Sequence, residues 1–216
     1  MLPTFQWTSF DVGGVLPVYW GQKVTAVAVD AEFRDFPRTP VLSREAGGVQ
    51  VIPRGRVHAD AVRNGLTWLN DLYHTGFREL AERVAGEPVA AAGDGRYGVV
   101  LNVQQGTTMR FECHVDSNPL TGLLFCSDHL HGGGGELVFA HDPSARSVVQ
   151  IDRSCSVLRP QSGHLIFFDG RDHPHYARPL TSPGDMRVVA VMNYYTRSCP
   201  ESTRPVGLNR HLYGDE

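Results

Sequence analysis

Residues 109–119, MRFECHVDSNP, carry the pattern around which the rest of the chain is read. Extended backbone sends successive side chains to opposite faces, so Glu112, His114 and Asp116 share one face while Phe111, Cys113 and Val115 share the other. The second set is apolar and suits a packed interior. The first set places an imidazole and a carboxylate one residue apart on one surface, where both reach the same ion. With ten histidines in 216 residues an HxD tripeptide also arises by chance, and a second one stands at His58-Ala59-Asp60. That one opens a helical segment, where positions i and i+2 diverge by roughly 200° and do not share an ion. It reads as exposed polarity or an N-terminal cap.

Outward from this stretch, short apolar runs alternate with turns from Tyr97 onward: YGVVLNV, MRFECHV, LTGLLFC, ELVFA, SVVQI, HLIFF and RVVAVMNYY. Strands of this length and frequency predict a two-sheet β-sandwich or jelly roll, and helices precede it. Upstream, Val62, Leu66, Leu69, Tyr73, Phe77, Leu80 and Val84 recur at spacings of four and three, the stripe of a helix or helix pair that Gly76 interrupts and Gly86 ends. Residues 14–30 read as two strands, GVLPVYW and KVTAVAVD, around Gly21-Gln22, and VQVI (49–52) as a further short strand. The run Gly132 to Gly135 is followed by neither a helix start nor GK[ST], so it reads as a tight turn and not a phosphate loop. His129, His131 and His141 read as solvated loop residues.

A metal site needs a third ligand. HLIFFDG runs into RDHPHYARPL, where His173 and His175 flank Pro174, and in a sandwich of this kind a late strand lies beside the early one. Strand parity does not separate the two histidines. Two imidazoles and one carboxylate leave three adjacent positions open, which suits Fe(II), whereas structural zinc takes a closed tetrahedral shell. Arg187 heads an almost purely apolar strand; a guanidinium there is costly unless it meets an anion, either a ligand carboxylate held by its planar fork or an acid of the chain itself. Asn193 falls on the same face of that strand.

Composition limits the alternatives. The chain is 41% hydrophobic and 20% charged, with net charge -3, and its Lys and Arg form no basic run, which argues against nucleic acid or an anionic membrane as partner. No apolar stretch is long enough to span a bilayer and no signal-peptide layout opens the sequence, so a cytosolic location is expected. The four cysteines, Cys113, Cys126, Cys155 and Cys199, form no CxxC pair and read as buried or idle thiols.

The order HVD, GGELVF, PQSGHLIFFDGRDHPHYARPL and RVVAVMNYY, over about residues 97–196, resembles the prolyl-hydroxylase-like branch of the 2-oxoglutarate/Fe(II) oxygenases. The resemblance implies a mainly β fold with supporting N-terminal helices, its core a double-stranded β-helix. It implies a single domain, with strands and helices in residues 1–95, the β-helix core in 97–196 and a tail in 197–216. It further implies iron at His114, Asp116 and His175, the last because His175-Tyr-Ala-Arg-Pro179 matches the family's H-x-x-x-P, and the far carboxylate of 2-oxoglutarate on Arg187. Where the family often carries tyrosines, this chain has Asn102, Gln104 and Gln105 before HVD and Phe125, Cys126 and Ser127 after it. Asn102, Cys126 and Asn193 are therefore the candidates for further cosubstrate contacts, and Glu112, His173 and Arg178 the candidates for substrate. The implied reaction consumes 2-oxoglutarate and O2 and releases succinate and CO2 as a C–H bond is hydroxylated. Asp116 fills the position a halide takes in family halogenases. A compact chain without a basic groove points to a small-molecule substrate: an amino acid, a peptide or a secondary metabolite. Two other classes make different demands: a cupin-like metalloenzyme that uses no 2-oxoglutarate needs no carboxylate on Arg187, and a ligand-binding sandwich without catalysis needs no tight metal.

Overall fold

The computed structural model describes residues 5–35, 41–45, 53–129 and 132–208. In chain order the elements are β1 (Thr8–Asp11), α1 (Trp20–Ala28), β2 (Glu32–Asp35), β3 (Pro53–Val57), α2 (Ala59–Gly65), α3 (Thr67–His74), α4 (Gly76–Ala85), β4 (Val89–Ala91), β5 (Val99–Gln105), β6 (Leu120–Phe125), β7 (Leu137–Ala140), α5 (Val148–Asp152), β8 (Cys155–Leu158), β9 (His164–Phe168), β10 (His175–Ala177) and β11 (Met186–Thr196). The fold is mainly β, and every strand pairing is antiparallel. A large sheet runs β1-β9-β6-β11-β5-β3-β2, with β4 also on β11, and a small one runs β10-β7-β8.

Alternation along the long strands gives the large sheet two different faces. Val99, Leu101 and Val103 of β5 and Val188, Ala190, Met192 and Tyr194 of β11 pack with Val62, Leu66, Leu69, Tyr73, Phe77 and Ala81 of the helices. The opposite face turns Leu123, Phe125, Ile166, Phe168 and Val189 toward Leu137, Phe139, Leu158 and Ala177 of the small sheet. The candidate metal ligands lie in this second layer. Helix α3 is stitched to β11 by Tyr73, whose hydroxyl donates to the Asn193 carbonyl at 2.7 Å and accepts from the Ala92 amide at 2.7 Å. Among the described residues no helix is long and apolar enough to cross a membrane.

Several expectations change. The stretch read as two strands at 14–30 contains helix α1, in which Val24 and Ala28, four apart, are the buried pair; its valines mimic a strand, but tertiary packing overrides that propensity. SVVQI is helix α5, started by the Ser147 hydroxyl accepting from the Gln150 amide. The apolar stripe at 62–84 is divided among three helices, broken at Leu66 and at Thr75, and Gly86 closes the last with φ 68°, as its glycine predicts. VQVI lies outside the described residues. MRFECHV forms no strand of its own; it is extended and bridged at His114 alone, to Ser43 on one side and His175 on the other.

Candidate metal centre

His114 and His175 face each other across a reciprocal pair of backbone hydrogen bonds, the His114 amide to the His175 carbonyl at 2.9 Å and the His175 amide to the His114 carbonyl at 2.8 Å. Directly opposed residues send their side chains to one face, so the two rings stand with centroids 4.3 Å apart. The other edge of the segment is held by residues 41–45: the Arg44 amide donates to the Cys113 carbonyl and the Val115 amide to the Leu42 carbonyl, while the Glu45 carboxylate takes the Cys113 amide at 2.8 Å and Arg110 at 2.6 Å. Asp116 is fixed by its amide, which donates to the Gly170 carbonyl at 3.1 Å. Its Oδ1 then lies 3.7 Å from His114 Nε2 and 3.6 Å from His175 Nε2, and one ligand atom from each of the three residues falls within 4.8 Å of the others.

The surroundings decide which atoms point inward. His114 Nδ1 is 2.7 Å from the Glu112 carbonyl and His175 Nδ1 is 2.8 Å from the His173 carbonyl. A carbonyl only accepts, so each Nδ1 carries the hydrogen and each Nε2 presents its lone pair. Asp116 Oδ2 accepts from the Thr121 hydroxyl at 2.7 Å, and that hydroxyl accepts from Asn118 Nδ2 at 3.0 Å. The relay leaves Oδ1 for the imidazoles. Gly170 makes room: a Cβ there would stand 2.4 Å from Asp116 Oδ2 and 2.9 Å from His175 Cε1. Two neutral nitrogens and one carboxylate oxygen, gathered on one side of a cavity, fit a divalent ion with open positions such as Fe(II). Thr121→Val, which removes the bond that orients Asp116, should weaken metal affinity about 10- to 100-fold. Equilibrium metal titration against wild type checks this; unchanged affinity would show that Asp116 needs no such support.

From the three candidate ligands an inner cavity of about 60 Å³ leads between Leu123, Leu137 and Val189 to Arg187. Arg187 is only 4% exposed, and burial pushes its guanidinium down to about 10, so it stays charged at neutral pH. Its Nη1 reaches Gln104 Oε1 at 3.4 Å, its Nε is buried without a hydrogen bond, and among the described residues no carboxylate pairs with it. Gly135, with φ 73°, lets the GGELVF turn pass close, since a Cβ there would stand 2.9 Å from Arg187 Cδ. On the other side an outer cavity of about 90 Å³ shares Asn102, Phe111, His114, Asp116 and Val191 with the inner one.

The remaining candidates divide. Asn102 lies in the wall common to both cavities, with Oδ1 buried and without a hydrogen bond. Asn193 lines the outer cavity alone and donates to the Tyr97 carbonyl at 2.6 Å. Cys126 does not face the site: Thr121, Leu123 and Phe125 are the cavity side of β6, while Cys126 continues the side of Leu120 and Leu124 and packs against the helix layer. Burial pushes its thiol up to about 12. Glu112 is buried away from both cavities and serves the centre through its carbonyl. Phe111, expected on the opposite face from His114, lines both cavities, its ring 5.4 Å from the His114 ring, because this segment lacks the regular pleat of a paired strand. His173 is not at the pocket mouth; its Nδ1 is 3.0 Å from the Ala140 carbonyl and its ring meets Phe5. Arg178 pairs with Asp152 at 3.1 Å on the surface. His58 sits 3.2 Å from Glu32 while Asp60 pairs with Arg63, so the second HxD gathers no ion site. His129 lies outside both cavities, His141 bonds Ser154 and Ser156, and His131 is outside the described residues. All four cysteines are free thiols. Thr121, Asn118, Gly170 and Arg56 escaped the sequence reading. The signal for Thr121 was present, as the lone hydroxyl at a cavity-facing position of LTGLLF.

No protein-family model and no curated protein sequence matches this chain. Solved structures do. The epimerase SnoN, in complex with Fe3+, alpha ketoglutarate and nogalamycin RO, superposes with a TM-score of 0.65 at 15% identity, covering 98% of this chain and 87% of that one. AviO1 from Streptomyces viridochromogenes gives 0.63 at 16% identity over 94% of each chain. HygX from Streptomyces hygroscopicus, with nickel, 2-oxoglutarate and hygromycin B bound, gives 0.58 at 10% identity over 90% and 84%. The chain thus shares its fold with SnoN, AviO1 and HygX, two of which hold a metal ion and 2-oxoglutarate in those structures.

Proposed function

We propose that this chain is a non-haem Fe(II)/2-oxoglutarate-dependent dioxygenase that hydroxylates a small molecule and releases succinate and CO2. Its strands would form one double-stranded β-helix domain, with residues 1–95 supporting it. The observation that carries this reading is a single small cavity with His114, Asp116 and His175 on one side and a buried Arg187 on another. The three ligands would hold Fe(II), and Arg187 would hold the far carboxylate of 2-oxoglutarate with its planar fork. Bound together, the metal and cosubstrate supply the O2 chemistry that breaks an unactivated C–H bond. The chain's own work is positioning. The carbonyls of Glu112 and His173 hold both imidazoles in the Nδ1–H form, and Thr121 turns the Asp116 carboxylate. Leu123, Leu137, Phe168 and Val189 keep the inner cavity apolar, and a low dielectric strengthens each charged contact made there. Asn102, between the cavities, would contact the cosubstrate, and Asn193 would line the space for substrate. A small substrate accords with the nogalamycin RO held by SnoN and the hygromycin B held by HygX.

The test is O2-dependent release of succinate from 2-oxoglutarate by anaerobically iron-loaded protein, with two alanine variants alongside. His175→Ala should lose both iron and succinate formation. His173→Ala should keep the iron, because the bond it gives His175 comes from its backbone carbonyl. Loss of iron in His173→Ala with retention in His175→Ala would overturn the ligand set, and absence of succinate from iron-replete wild type would overturn the reaction.

A further inference from the structure

The wall of the outer cavity is rich in acceptors that the described residues leave unused. Asn102 Oδ1 is buried without a hydrogen bond. Asn193 Nδ2 donates to the Tyr97 carbonyl at 2.6 Å, and Asn118 Nδ2 donates to the Leu120 carbonyl at 2.7 Å. A carbonyl only accepts, so each amide turns its nitrogen to the backbone, and among the described residues nothing donates to either Oδ1. The Ser117 hydroxyl likewise has no partner among them. Along the cavity side of the β5–β11 ladder Asn102, the paired Val100 and Val191, and Asn193 follow one another, so an acceptor stands at each end of a short apolar strip. Among the described residues the lining holds one acid, Asp116, which belongs to the metal centre. Arg56, directly across from Asn102 in β3, and Arg96 stand in the same wall.

We infer that the outer cavity takes one neutral, polyhydroxylated ring, a sugar or a cyclitol, whose hydroxyls donate to Asn102, Asn118 and Asn193 while a C–H face lies on Val100 and Val191. Calling that ring the substrate rests on the oxygenase reading above; its recognition by the amides does not. A carboxylate has no proton to offer the unused oxygens and is repelled by them. An ammonium finds no acid of its own in the wall and meets two guanidiniums there. A hydroxyl answers each oxygen without bringing a charge. Asn102 sets the choice, because a ring lacking the matching hydroxyl leaves its buried Oδ1 unanswered. Its Nδ2, at the other end of the amide, stays available to the cosubstrate.

Titration calorimetry tests this with neutral probes: the methyl pyranosides of glucose, galactose and mannose, and myo-inositol. The control is tetrahydropyran-2-methanol, the same ring stripped of its secondary hydroxyls. The methyl glycosides of glucuronic acid and of glucosamine supply a negative and a positive charge. The titrations run under nitrogen on Fe(II)-loaded protein saturated with 2-oxoglutarate, and again on metal-free protein. The tightest neutral probe should bind about tenfold or more better than the stripped ring, since several hydrogen bonds separate the two. Asn102→Leu should cut that ratio about 3- to 10-fold, the share of one bond, and Asn102→Ser, which keeps a hydroxyl, should restore part of it. No binding by any neutral probe, equal binding of the stripped ring, tighter binding of a charged probe than of every neutral one, or a ratio that survives Asn102→Leu overturns the inference. Where Asn102→Leu fails to fold, the wild-type ratio decides the matter together with Ser117→Ala, which should weaken the neutral probe and spare the stripped ring. Failure to bind iron or 2-oxoglutarate sinks the oxygenase reading alone, since the metal-free titrations still report on the amides.

Discussion

Asp116→Ala should give a folded protein that retains no stoichiometric Fe(II) and forms no succinate. Among the described residues Asp116 is the only acid facing both imidazoles, its Oδ1 within 3.7 Å of each Nε2, and two neutral nitrogens alone provide neither charge balance nor a facial set. The fold has little reason to fail. The Asp116 amide still donates to the Gly170 carbonyl, and the Thr121 hydroxyl keeps Asn118 as a partner. Losing the carboxylate's bond to Thr121 costs about 1–3 kcal/mol at most. Iron per protein after anaerobic reconstitution, read beside the unfolding temperature, separates loss of the ion from loss of the fold. Wild-type iron content in Asp116→Ala would remove Asp116 from the site.

The clustering of the candidate ligands was legible although the element carrying them was misread. Alternation requires only locally extended backbone, and at His114 and Asp116 that is supplied by single bridges to Ser43 and His175 and by the Gly170 carbonyl. Three residues upstream of His114 the register slips: the Phe111 amide takes the Ala177 carbonyl at 3.1 Å, where regular continuation of the His114–His175 bridge would set Glu112, and there parity fails, so that Phe111 joins the cavity. In β5, β6, β9 and β11 the ladders are continuous, so apolar alternation in the sequence matched the two faces, and it placed Arg187 and Asn193 on one of them. Cys126 was misplaced by proximity in the sequence where counting from Thr121 puts it on the helix side. Helix α1 was missed because its valines favour a strand locally, while burial of Val24 and Ala28 favours a helix. Arg56 was invisible for a different reason: PRGRV, with arginines at 54 and 56, carries no apolar period, and only the pairing of β3 with β5 aligns Arg56 with Asn102.

Arg187→Met should raise the dissociation constant for 2-oxoglutarate by roughly 30-fold to several thousand-fold, the equivalent of about 2–5 kcal/mol for removing one partner of a buried charged pair. The same variant should be at least as stable as wild type in the absence of 2-oxoglutarate. The guanidinium is buried with an unbonded Nε and one bond of 3.4 Å to Gln104, so it carries a desolvation penalty that no acid of the described chain offsets. The pH dependence has the matching sign. Burial lowers the folded pKa to about 10, below the ordinary guanidinium range, so the unfolded chain binds the proton more tightly than the folded one. The penalty is therefore constant through the neutral range and is relieved only as pH rises through about 10 toward the ordinary guanidinium range. An anion in the inner cavity relieves it at neutral pH instead. Calorimetric titration of 2-oxoglutarate and thermal unfolding with and without it, on wild type and Arg187→Met, measure both halves. A brace for the sheet would behave in the opposite way, with Arg187→Met losing stability and keeping its affinity. Arg178 offers no substitute anchor, since it is paired with Asp152 outside the cavity.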